Sequence, residues 1–241
     1  MYRLPQYVTD ARISDRVLRY EWDDARADEY RLQGSEEVAD RLVRVTPRAK
    51  AAAAIGVFEW IIARFQVVSD DSVPFQVAEA MWCGNVHLDY LEYFELDRRL
   101  WTGPIRGPLW LATTLLSEML FFREEEEEPE GRVAYLSNLA LHVLPSSDAF
   151  ISWRDACVGR LVSLYELPPD SDPFENLFGD QGGPLVPREA IDPGIDFTLE
   201  STDRLIDQLL RGVAPTQNPF LRAPDELLAD GFEGAPYRIQ A

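Results

Sequence analysis

Closely spaced acids supply most of the reactive groups in this chain. In EWDDARADEY, Asp23, Asp24, Asp28 and Glu29 form a DDxxxD-like pattern on a segment that reads as helix. Carboxylates at i and i+4 lie on one helical face, where a pair can share a magnesium ion holding a diphosphate. A prenyl-transfer site of that kind needs a second acidic helix and basic residues around one cavity, and the sequence supplies neither. The same acids read more simply as a solvated face on which Arg26 and Arg31 relieve the repulsion between Asp24 and Asp28. Glu79, Cys83 and His87 recur at i, i+4 and i+8, with Asp89 close behind, so three metal-competent groups share a face. No fourth ligand accompanies them, and a buried Cys83 with Glu79 or His87 hydrogen-bonded at the helix edge is the expected arrangement. His142 stands near the end of an apolar helix, where a cation complements the helix dipole.

The chain has no HExxH, HD pair, GxSxG or glycine-rich phosphate loop, so hydrolytic and nucleotide chemistry lack their usual parts. That shifts the expectation from catalysis to binding, with no cofactor and no metal. Cys83 and Cys157 belong to no CxxC or His-adjacent cluster, and they read as two reduced core thiols.

Charge is the strongest signal. The net charge of −19 repels nucleic acid and anionic membranes and speeds encounter with cationic partners. A disordered acidic chain is excluded by the 46% of hydrophobic residues and six tryptophans. Residues 123–132 set six glutamates against Arg123 and Arg132, and residues 168–200 set eight acids against Arg188 alone. In the first segment Glu124, Glu125, Glu126, Glu127 and Glu128 run consecutively. Such a run is most often a solvated hairpin between antiparallel helices. Its functional alternative is an electrostatic docking surface for a basic protein.

The elements carrying these residues are helical nearly throughout, and no stretch alternates with period two. Thr46 is placed to cap, and Pro47 to start, a helix over about 47–68. Ala51, Ile55, Phe58, Ile62 and Phe65 mark one inward face, and apolar residues on the other faces predict that this helix is central. Its Glu59, Arg64 and Gln66 must then reach the surface or find partners inside. A second helix is predicted from Pro74 to about Leu100, with Gly84 and Asn85 as an interruption, followed by a turn at TGPIRGPLW. Further helices end at the glutamates, stop at Pro145, and restart behind Ser147 or Asp148; two more are expected at about 11–32 and 36–45. Residues 168–200, rich in Pro and Gly, read as an irregular excursion strapped across the helical body. Residues 201–241 read as C-terminal helices, the first capped by Ser201 and stopped at Gly212, and a tail. The expectation is one all-α domain of about eight helices over 1–241.

Charges in MYRLPQYVTDAR and the shortness of PLWLATTLLSEMLFF argue against a signal peptide and a membrane span, which predicts a cytoplasmic protein. The patches FEWIIARFQ, AEAMWCGNVHLDYLEY, WTGPIRGPLW and the closing NPFLRAPDELLADGFEGAPYR resemble those of acidic, helical immunity proteins that neutralise bacterial polymorphic toxins. The resemblance implies a stoichiometric inhibitor whose partner is a cognate toxin or other basic protein, and it carries no residue roles. The candidate contact residues are Glu124 to Glu128, Asp170, Asp172 and Asp180, with Phe174, Phe178 and Tyr237 as exposed ring anchors. A metal-dependent all-α enzyme and a self-associating structural or adaptor subunit are the rival expectations.

Overall fold

The structure, a computed structural model, describes residues 2–32, 36–121, 129–167 and 182–239. It is all-α. Helices span Gln6–Asp10 (α1), Ala27–Arg31 (α2), Glu36–Leu42 (α3), Pro47–Phe65 (α4), Val73–Val86 (α5), Gly103–Phe121 (α6), Pro129–Val143 (α7), Asp148–Tyr165 (α8), Thr202–Gly212 (α9) and Pro224–Ala229 (α10). Among the described residues the β pairings are two isolated bridges, Val45 to Glu166 and Leu91 to Leu221.

Helix α4 is the axle. Every residue from Arg48 to Phe65 is buried, and α1, α5, α6, α7 and α8 pack around it, as an apolar surface on all sides requires. Gly56 lets two neighbours approach closely: a Cβ there would fall 2.5 Å from Ile191 Cδ1 and 2.8 Å from Trp153 Cζ2. The polar residues of α4 divide as burial demands. Gln66 is exposed, whereas Arg64 is fully buried and donates to three carbonyls, Val143 (3.0 Å), Val17 (2.8 Å) and Asp15.

Several boundaries differ from the sequence expectations, each for a local reason. The helix expected over 11–32 is largely irregular, because Arg12 adopts a left-handed φ of 50° and the Asp15 and Val17 carbonyls are taken by Arg64. Helix α5 ends at Val86 and does not continue to Leu100. The Arg48 guanidinium caps its last carbonyls, Nε to Asn85 at 3.0 Å and Nη2 to Val86 at 3.1 Å. TGPIRGPLW is not a turn; α6 begins at Gly103 and carries Pro108 inside it. The Pro104 carbonyl, which the missing Pro108 N–H cannot reach, accepts the Tyr20 hydroxyl instead. Neither Thr46 nor Ser201 caps with its side chain. The Gly182 carbonyl receives the Arg48 N–H in the first turn of α4 (2.9 Å), and the Ser201 hydroxyl donates to Thr198 O (2.7 Å).

Residues 182–200 lie across α4 and α8 as a strap. Val186, Ala190 and Ile191 are buried, Trp153 Nε1 donates to Ile191 O at 2.9 Å, and Arg160 Nη1 donates to Asp192 O at 2.6 Å. Among the described residues no helix is long and apolar enough to cross a membrane.

Candidate functional site

The strap places Arg188 against the middle of α4, where Glu59 is fully buried. Glu59 Oε1 accepts from the Tyr2 hydroxyl and from Trp82 Nε1 (2.8 Å), and lies 2.7 Å from Arg188 Nη2; Oε2 accepts from the Tyr7 hydroxyl at 3.2 Å. The Arg188 contact is an ion pair and not an aligned hydrogen bond, since Nη2 and Nε have no acceptor in line with their N–H bonds. Its guanidinium also covers the Tyr2 ring, 4.8 Å from the centroid. Burial works against a charged guanidinium, yet Glu59 together with the Tyr2 and Tyr7 hydroxyls outweighs it and holds the Arg188 pKa above the usual arginine value. Burial, reinforced by the Glu59 charge, pushes the Tyr2 and Tyr7 phenols well above their ordinary range. Every oxygen of this carboxylate is occupied, so Glu59 is a buried keystone and not an available base.

Directly outside the keystone runs a groove of about 790 Å³, between α1, the first half of α8 and the strap. Its wall is aromatic. Tyr7 stacks on Trp153 (centroids 5.3 Å apart, planes 13° apart), and Trp153 lies 5.8 Å from Trp60. Asp10, Glu189 and Asp192 line it, against the single cation Arg188. Asp192 Oδ1 accepts from Gly194 N at 2.8 Å. Among the described residues the carboxylates of Asp10 and Glu189 take no hydrogen bond and no ion pair.

Beyond the groove, cations are largely engaged while acids are left over. Lys50 pairs with Glu130 at 2.7 Å in a nearly buried contact, Arg106 with Asp71 at 2.9 Å, and Arg132 with Glu118 at 2.6 Å. Arg48, Arg64 and Arg160 are spent on carbonyls. Glu37, Asp40, Asp148, Asp203 and Asp225 stand exposed and, among the described residues, unpaired.

The sequence-derived candidates fall as follows. Glu124 to Glu128, Asp170, Asp172, Phe174, Phe178 and Asp180 lie outside the described residues. Tyr237 is not an exposed anchor: it is buried, stacked on Tyr90 at 4.3 Å, and its hydroxyl donates to Arg222 O at 2.7 Å. These contacts hold its backbone at a φ of 56°, a conformation a bulky residue rarely adopts. In the DDxxxD-like stretch, Asp24 Oδ1 accepts from Trp22 Nε1 (2.7 Å) and Oδ2 from Gly103 N (2.8 Å), while Asp23 caps a turn through Ala25 N; the Asp28 side chain lies outside the described residues. Glu79 accepts from Asn218 Nδ2 at 3.0 Å, His87 Nδ1 accepts from Asp89 N, and Cys83 is buried. Among the described residues no three His, Cys, Asp or Glu side chains gather into a metal-sized cluster. His142 Nε2 meets Glu21 O at 2.8 Å, with its ring between Tyr20 and Tyr30.

Sequence reasoning missed the groove. Its one available signal was Arg188, the lone cation among eight acids in residues 168–200. Comparison of the chain with protein-family models, with curated proteins and with solved structures finds no match.

Proposed function

We propose that this chain is an acidic binding protein that neutralises a bacterial toxin by direct contact, an immunity-type inhibitor acting in the cytoplasm. The observation that carries the reading is the division of charge. Arginines are drawn into carbonyl caps and ion pairs, as with Arg48, Arg64 and Arg106, while a surplus of carboxylates faces outward on a chain of net charge −19. A surface of this kind attracts a basic protein at long range and repels nucleic acid. The buried ionisable groups support the same reading. Glu59 is saturated by Tyr2, Tyr7, Trp82 and Arg188, so the scaffold uses its interior charges for architecture.

The test is co-expression with the product of the adjacent gene. The expected result is rescue of growth together with a co-purifying complex of the two chains. Growth arrest that this chain does not relieve, with no complex recovered, overturns the proposal.

A further inference from the structure

Lys50 is the single lysine of the chain, and the fold hides it. Its side chain is 7% exposed, and a lysine is almost never enclosed to that degree without a partner. Nζ lies 2.7 Å from Glu130 Oε2, on a side chain 12% exposed, and donates to Val43 O at 3.2 Å. The contact joins three segments: Lys50 stands in the first turn of α4, Glu130 in the first turn of α7, and Val43 directly after α3. Helix α7 packs on both α3 and α4, with Val133 and Ala134 buried one turn beyond Glu130. A reagent therefore reaches Nζ only when the first turn of α7 parts from α4. Arginines supply the rest of the Lys and Arg total, so the folded chain offers an amine-directed reagent no other side chain.

We propose that Lys50 is a fold-gated acylation site: acyl donors modify the opened chain alone, and the modification then keeps the chain from closing. The donor class is an activated acyl group, either a thioester or an active ester. The ammonium gives up one proton to solvent and the free Nζ attacks the acyl carbon. The bond from that carbon to sulfur or oxygen breaks, and the departing thiolate or oxyanion takes a second proton from the nitrogen. The product is a neutral amide. Both halves of the device follow from burial. Before the step, Nζ is held by Glu130 and Val43 O inside a closed interface. After it the cation is gone, and closing again encloses the Glu130 carboxylate without a counter-charge, beside an acyl group larger than the ammonium hydrogen it replaces. The inference goes beyond the reading of the chain as a binding protein and stands or falls without it.

The experiment acetylates the full chain with N-hydroxysuccinimidyl acetate, in buffer and in urea, and follows the Lys50 amide by peptide mapping. The folded chain should acquire it at least about a hundredfold more slowly than the unfolded chain, since reaction waits on opening. Equal rates overturn the gate. Glu130→Gln removes the charge that holds Nζ and should raise the folded-state rate about tenfold, with a melting curve showing that the variant is folded. A rate unchanged by that substitution also overturns the proposal, because the pair then does not guard the amine. The second half is read by returning the chain acetylated in urea to buffer. The control is the chain acetylated while folded, at its α-amine alone, and taken through the same urea cycle. The chain carrying the Lys50 amide should melt about 5–10 °C below that control. Equal melting temperatures overturn the claim that the modification keeps the chain from closing.

Discussion

Arg188 Nη2 lies 2.7 Å from Glu59 Oε1, joining a strap rich in Pro and Gly to the middle of the central helix. The pair does two jobs. It neutralises a carboxylate that has no exposed surface, and it fixes the strap that closes one side of the aromatic groove.

Removing one partner strands the other. Arg188→Met leaves Glu59 without its cation and should cost about 3–5 kcal/mol, the usual penalty for breaking a buried pair. Adding Glu59→Gln should recover part of the loss. Urea unfolding of the two single variants and the double variant closes the cycle. Additive losses would show that the two residues do not act as a pair.

Gly56 provides a test of opposite sign. Glycine to alanine inside a helix ordinarily stabilises by about 0.5–1 kcal/mol. Here the new Cβ meets Ile191 and Trp153 at 2.5 and 2.8 Å, so Gly56→Ala should destabilise by about 1–3 kcal/mol through overpacking. A shift of the urea midpoint at unchanged slope reads this directly.

Alkaline pH should unfold the protein early. Burial raises the Tyr2 and Tyr7 phenols well above their ordinary 10.0, Tyr165 to about 12, and the Cys157 thiol from 9.0 to about 12. A group whose folded pKa is raised binds its proton more tightly in the native state. Its stabilisation is complete below the unfolded pKa and is lost as pH climbs toward the folded value. The melting temperature should therefore be flat near neutrality and fall from about pH 9 upward. Tyr7→Phe, which keeps the ring on Trp153 and removes the titrating hydroxyl, should shallow that fall.

Asp24 is predicted to be structural. Both of its oxygens are engaged, by Trp22 Nε1 and by Gly103 N, and Gly107 admits the Trp22 ring against α6, where a Cβ would collide with Nε1. Asp24→Ala should cost about 1–3 kcal/mol by leaving those donors unmet. Magnesium should leave the melting temperature of the natural chain unchanged, as a thermal-shift series would show.

Much of the fold was legible in the sequence because helical periodicity reports burial. The apolar faces of α4 identified it as central, and the requirement that Glu59 and Arg64 find internal partners follows from the cost of burying charge alone. The identity of those partners was hidden, since Tyr2, Tyr7 and Arg188 are distant in sequence and joined only by packing. The misplaced boundaries share that cause. Arg48 and Arg64 reach across the fold to take carbonyls of other segments, and no local pattern announces this. The groove was invisible for the same reason: its wall comes from α1, α4 and α8, and its rim from α1 and the strap. The buried Tyr237 shows the converse, since a tail that looks exposed by composition is drawn in by one ring, Tyr90.

The most direct measurement is the association rate of this chain with the adjacent gene's product across a salt series. Electrostatic capture by a surface of net charge −19 predicts a rate that falls about tenfold or more between low and physiological ionic strength, while the dissociation rate changes little. An association rate indifferent to salt would contradict the account.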